Sequence, residues 1–259
     1  MTEIRHLSEA PTGRRPLAPG AGIDAHRHDT HQIVYACRGV LSVTTGAGTW
    51  VAPANRALWI PAGTVHEHRA HGDTDLRLVG LADNPLGLDR PAVLAVGPLL
   101  RELIIAYTAD AHHGGGHAVG TPHGGEHHSG ERARLWAVLL DQLRRAPEQP
   151  LHLPTAHDPR LTAVCAILHR DPADSRTLAQ LAARVGTSDR TLARLCRREL
   201  GMSFPQWRTQ LRLHHALLLL ADGVPVTAVA HRCGWASASA FIDVFRRAFG
   251  YTPGRAFTL

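Results

Sequence analysis

The chain has 259 residues, 44% of them apolar, and a formal net charge of +6. That length allows one large domain or two ordinary ones with a proper core. No apolar run approaches the roughly 18 residues that span a bilayer, so a membrane partner is not expected.

All 28 basic residues are arginine, and they are unevenly matched by acids. Residues 1–157 hold 14 arginines against 15 acids, whereas residues 158–259 hold 14 against 7. The positive excess lies in the last hundred residues, which suggests a polyanionic partner for that end. Residues 1–21, "MTEIRHLSEAPTGRRPLAPGA", have no apolar core before a small-residue cleavage site and read as a flexible polar tail rather than a signal peptide. The four cysteines, Cys37, Cys165, Cys196 and Cys233, are widely spaced. Without an export signal they are expected to be reduced and mostly buried, in a cytoplasmic protein.

Residues 22–84 alternate short β-branched or aromatic runs with Gly, Pro and Asn, the rhythm of a small antiparallel barrel or sandwich. Its first stretch, "HRHDTHQIVYACRG", holds three histidines in six positions. His26 and His28, two apart on a strand, point to one side of the sheet and suit chelation of one ion. His31 has the opposite parity if the strand continues. Residues 85–157 shift to helical periodicity in "GPLLRELIIAYTA" (97–109) and "ERARLWAVLLDQLRRA" (131–146). The second carries an apolar stripe, Leu135, Val138, Leu139 and Leu143, which either forms a homodimer interface or packs on its own domain. Between the helices, the Gly/His-rich segment 110–130 cannot bury itself and is expected to be a disordered loop. Its six histidines are expected to bind metal weakly at most, and its role stays open.

From Asp158 onward everything reads as helix. Asp158 caps a first helix with Pro159 in its opening turn. "TLAQLAARVGTSDRTLARLCRREL" then gives a short helix, a turn at Gly186 and a second helix capped by Ser188: a helix-turn-helix. At 100° per residue, Leu192, Leu195, Cys196 and Leu200 fall on one side of that second helix, and Arg190, Arg194 and Arg197 on the other, with Thr191 in its first turn. Each guanidinium suits phosphate or the O6/N7 edge of guanine. "PVTAVAHRCGWASASAFIDVFRRAFG" repeats the device, with Ser237 in the place of Ser188. Its outward face is expected to present Ser239, Asp243, Arg246 and Arg247. A helix over 204–221, capped by Ser203, links the units and is about 27 Å long at 1.5 Å per residue. That is near the ~34 Å pitch of B-DNA, so one face reaches successive major grooves.

Residues 158–257 resemble the paired helix-turn-helix domain of the AraC/XylS family of transcription regulators, carried by "LAQLAARVGTSDRTLARLCRRELGMSF" and by "FRRAFGYTP" near the end. The match covers the whole domain. Cys196 stands where an aromatic is usual, and Asp243 where a basic or polar residue is common. The front resembles the cupin-like arm of many family members, through His26-x-His28, Gln32 and Gly39, then Pro61, Gly63 and His66 in "PAGTVH".

The fold expected is therefore multidomain: an all-β cupin-like barrel over 22–84 plus helices, then an all-α domain over 158–259 with two helix-turn-helix motifs. The resemblance implies sequence-specific binding of double-stranded promoter DNA under control of a small effector, no enzymatic activity, and contact with RNA polymerase if the chain activates, while the stripe Leu135, Val138, Leu139 and Leu143 motivates a homodimer. In metal cupins the two early histidines, a carboxylate and the later histidine are the ligands, which places His26, His28, Gln32 and His66 in a metal site for Zn, Ni, Cu or Fe. Gln32 replaces the carboxylate and weakens such a site. Asn55 also departs, standing where a glycine often opens the second motif. No cofactor is strictly required: the same groups otherwise form walls of an organic-effector pocket, with Tyr35, Trp59 and His66. A metal-dependent cupin dioxygenase or isomerase fused to DNA-binding helices is the alternative, as is a metal-sensing regulator.

Overall fold

A computed structural model describes residues 4–109, 126–149 and 152–255. Contacts divide the chain into two units: residues 1–41 with 52–150, and residues 42–51 with 151–259.

The first unit is a β-sheet structure with two helices. Its strands are β1 (Arg5–Leu7), β2 (Gly13–Leu17), β3 (Gly22–His28), the first part of β4 (His31–Thr45), β6 (Arg56–Ile60), β7 (His66–Leu81), β8 (Ala92–Ala95) and β9 (Glu148–Gln149), with β5 (Gly48–Pro53) falling mainly in the second unit. The strand order is β1-β3-β7-β4-β6-β8-β9, and β2 pairs antiparallel with the C-terminal half of β7. The segment expected to be a flexible tail thus supplies two strands. Both lie against partners distant in sequence, and β1 and β2 are mostly exposed, so they carry no alternation to read.

β7 does alternate: from His66 to Ala70 every second residue is buried and the others are exposed. Gly39 turns β4 past it at φ +81°, where a Cβ would sit 2.5 Å from Thr74 Oγ1 and 2.6 Å from the Asp73 carbonyl. Only glycine fits there. Gly63 donates its N–H to the His28 carbonyl at 2.8 Å, tying the second cupin-like motif to the first.

Helices α1 (Pro98–Ala109) and α2 (Glu126–Arg145) cover one face of the sheet, with Tyr107 and Trp136 stacked between them at 5.0 Å. Of the Gly/His-rich segment expected to be disordered, residues 110–125 lie outside the described residues, and 126–130 open α2. The apolar stripe of α2 commits Leu139 and Leu143 to its own core, leaving Leu135 half-buried and Val138 exposed. Leu139→Glu is therefore expected to cost about 3 kcal/mol or more in folding stability, since it puts a carboxylate where an aliphatic side chain is fully buried. Urea denaturation checks this, and an unchanged midpoint would contradict it.

The second unit is helical apart from the strands of residues 42–51 and β10 (His152–Pro154), which pairs with β5 and stacks His152 on Trp50. Its helices are α3 (Pro159–Arg170), α4 (Leu178–Arg184), α5 (Asp189–Glu199), α6 (Phe204–Ala221), α7 (Val226–Arg232) and α8 (Ala238–Phe249). Asp158, Thr177, Ser188 and Ser237 each accept a backbone N–H as N-caps, and Gly250 closes α8 at φ +84°. Leu181, Leu192, Leu195, Cys196, Trp207 and Leu211 lie in one core. A second is an aromatic column, with Phe245 4.5 Å from Phe249 and 5.7 Å from Tyr251. That column is the physical content of "FRRAFGYTP": its apolar residues pack, and Arg246 and Arg247 face solvent. All four cysteines are buried free thiols.

Candidate functional site

Two sites emerge, one in each unit. In the helical unit α5 splits as its periodicity predicts. Leu192, Leu195 and Cys196 are buried, while Arg190, Arg194 and Arg197 are exposed and enter no ion pair among the described residues. Ser188 and Thr191 serve the helix start: Ser188 Oγ accepts the Thr191 N–H, and the two hydroxyls are 2.9 Å apart. Ser237 plays the same part for α8 by accepting the Ala240 N–H. On α8, Ser239, Asp243, Arg246 and Arg247 are exposed. Asp243 lies 3.9 Å from Arg246, and the Arg247 Nε donates to the Asp243 backbone carbonyl. The first helix offers three free guanidinium groups. The second offers a partly self-compensated face.

In the first unit, β3 and β7 build a histidine chamber. His26 and His66 are cross-strand partners, and a one-residue bulge between Ile23 and His26 lets β3 present its side chains beside His68 as well. Strand alternation puts His28 on the His26 side and His68 on the His66 side. All four are buried. His66 is the hub, with its ring centroid 4.3 Å from His26, 5.0 Å from His28 and 5.0 Å from His68. Three rings are fixed from outside: His26 Nδ1 meets the Asp24 carbonyl, His28 Nδ1 that of Thr30 and His66 Nδ1 that of Thr64, at 2.6–2.8 Å. An Nδ1–H donated outward leaves Nε2 as an inward-facing acceptor. Gln32 reaches the chamber from β4, its side-chain amide 3.3 Å from His28 Nε2.

Burial favours the neutral form of His26, His66 and His68. It pushes His66 down to about 3 and His68 well below the ordinary histidine value, with the neighbouring imidazoles adding to the shift. His26 is lowered mainly by burial too. Among the described residues, His66 Nε2 and both ring nitrogens of His68 have no hydrogen-bond partner. The donor set fits a transition ion, because inward-facing neutral imidazoles lack an electron-pair acceptor.

The structure brings His26, His28, Gln32 and His66 together as the motif implies. It does not bring Tyr35 or Trp59 to them. Trp59 is opposite Ile33 on β4, so both it and Tyr35 have the other parity from Gln32 and lie in the core beneath α1 and α2. Tyr35 donates its hydroxyl to the Ala54 carbonyl, and Trp59 its indole N–H to that of Leu88. His31 also turns away and stacks on Trp59. Sequence reasoning missed His68, although "HEH" repeats the alternation that singles out "HRH".

A cupin-like sheet with a buried histidine chamber, joined to a helical unit with two capped helix-turn-helix devices, defines a DNA-binding transcriptional regulator. Comparisons agree. A helix-turn-helix domain family model matches residues 181–258, and a cupin domain model matches residues 14–81. The chain is 34% identical over 238 residues to the HTH-type transcriptional regulator NimR of Escherichia coli K12, covering 89% of this chain and 80% of that one. Among solved structures it is similar to an AraC-type DNA-binding domain protein of Chromobacterium violaceum (27% identity, 39% of this chain and 90% of that one, TM-score 0.37). It is also similar to the DNA-binding domain of AdpA in complex with a target DNA (32% identity, 38% and 90%, TM-score 0.36). The chain belongs to the AraC-type family of transcriptional regulators. Among the described residues no helix is long and apolar enough to cross a membrane.

Proposed function

We propose that the histidine chamber is the sensor of this regulator, and that a small effector seated there sets the affinity of α5 and α8 for promoter DNA. The unpartnered nitrogens of His66 and His68 carry this reading. Buried polar groups without partners destabilise a fold by roughly 1–3 kcal/mol each, so a cluster of them is better explained by a ligand than by packing. Regulator names among the relatives favour sensing over a cupin enzyme, and a cytoplasmic homodimer that contacts RNA polymerase when activating suits the same role. Among the described residues, Leu99 on α1 and Val138 on α2 are exposed apolar side chains that such self-association would cover. A thermal-shift screen of metal ions and small organic molecules, run on the parent chain and on His66→Gln, tests the sensor. A ligand that stabilises only the parent is expected. One that stabilises both equally would place the effector elsewhere.

A further inference from the structure

The cupin-like motifs point to His26, His28, Gln32 and His66 as a metal site, yet among the described residues the histidines whose ligand atoms come together are a different set. Ligand atoms of His26, His66 and His68 all lie within 4.8 Å of one another. We propose that His68 is a metal ligand, forming with His26 and His66 a three-imidazole site for a borderline divalent d-block ion, and that His28 and Gln32 support this site from behind. The inference deepens the sensor reading and rests on it for its regulatory meaning.

Three observations carry it. First, each neutral imidazole has one N–H, and His26 and His66 direct theirs outward to the Asp24 and Thr64 carbonyls. Their inward nitrogens are both acceptors. This arrangement, a ring N–H anchored on a backbone carbonyl, is what orients imidazoles at metal centres. Second, His68 is 2% exposed, and neither of its nitrogens has a partner among the described residues. Its ring lies 5.0 Å from His66 and 5.6 Å from His26. It can donate at most one hydrogen, so it cannot satisfy both neighbours and itself. A cation satisfies all three. Third, His28 falls outside this grouping of ligand atoms: its Nδ1 is committed to the Thr30 carbonyl, and its Nε2 lies 3.3 Å from the Gln32 side-chain oxygen, acceptor facing acceptor. With a neutral amide, Gln32, in the carboxylate position, the third ligand is supplied by His68, two residues along β7 from His66.

The donor set also selects the ion. There is no carboxylate among these donors, and Arg5 and Arg15 add positive charge close enough to be felt by His26. Hard ions that need oxygen ligands, such as Mg and Mn, are disfavoured, whereas Zn, Ni and Cu suit imidazole.

The test uses the full chain with the six histidines at 112, 113, 117, 123, 127 and 128 changed to Asn, so that they contribute no binding. Titration with Zn(II), with Mg(II) as the control, is expected to show one equivalent of Zn(II) and no Mg(II). His68→Gln should weaken Zn(II) binding by about a hundredfold or more, and His28→Gln by distinctly less. On the Zn-loaded parent, nitrogen NMR of the ring should show a metal-bound nitrogen on His68, a readout that does not depend on any variant folding. A His68 ring spectrum unchanged by Zn(II), or His68→Gln binding as tightly as the parent, overturns the proposal. Stoichiometric Zn(II) that leaves DNA affinity unchanged sinks the sensor reading alone. No Zn(II) binding, with a response to an organic molecule, sinks the metal site alone.

Discussion

Affinity for the cognate promoter should fall about a thousandfold as salt rises from roughly 50 to 200 mM, the response expected for about six phosphate contacts. The charge for this lies in the last hundred residues, with 14 arginines against 7 acids. On α5, Arg190, Arg194 and Arg197 are exposed and enter no ion pair among the described residues, whereas Arg198 pairs with Glu199 and, on α8, Arg246 lies 3.9 Å from Asp243. Within that total the two helices should read unequally. Arg190, Arg194 and Arg197 of α5 are free to fork onto guanine or phosphate. Arg194→Ala should cost about 1–3 kcal/mol on the specific site and relax base preference at one position. On α8, Asp243 repels phosphate and sits 3.9 Å from Arg246, so Arg246 and Arg247 mainly anchor the backbone. Asp243→Ala should leave affinity unchanged or raise it. A flat salt response, or an Asp243→Ala variant that loses a cytosine preference in the distal half-site, would contradict this division.

The helical unit should also lose stability in mild acid, through His214. This ring is buried on α6, its Nε2 has no partner among the described residues, and burial pushes it down to about 3, with His215, His169 and His152 adding to the shift. The folded value lies below the unfolded value of about 6.5, so below that pH the unfolded chain takes up a proton that the native chain refuses. The stability concerned is complete above about pH 6.5 and is lost as pH falls towards 3, at about 1.4 kcal/mol per pH unit once the unfolded ring is charged. By pH 5 His214 alone should remove on the order of 2 kcal/mol. His214→Leu should hold its urea midpoint better than the parent between pH 7.5 and 5, followed by fluorescence of Trp207 and Trp235. Identical losses in both proteins would show that His214 is not the acid-sensitive group.

Local chemistry explains what could be read in advance. Ser188, Ser203, Ser237, Gly186 and Gly250 mark helix ends through hydrogen bonds or backbone angles within a few residues, so both helix-turn-helix devices are visible in the linear chain. So are His26 and His28, whose common face follows from strand parity alone. What escaped depends on distant partners. β1 and β2 become strands only because β3 and β7 offer edges, and their own residues are largely exposed. Tyr35 and Trp59 look like pocket walls by composition. Their position relative to the chamber is set by register with Gln32, which puts them on the opposite face. His68 was legible by parity with His66, but the bulge that brings β3 beside it was not. Leu139 and Val138 show the same limit: adjacent on one stripe, one is fully buried and the other exposed.

Control of DNA affinity by the chamber is the central claim, and linkage gives it a sharp form. If a chamber ligand changes promoter affinity by some factor, promoter DNA must change the affinity for that ligand by the same factor. Both should be measured on the full chain, with the ligand that the thermal screen returns, for the parent and for His66→Gln. Equal factors of about fivefold or more are expected in the two directions, and no coupling in His66→Gln. Promoter affinity that is identical with the chamber filled and empty would contradict it.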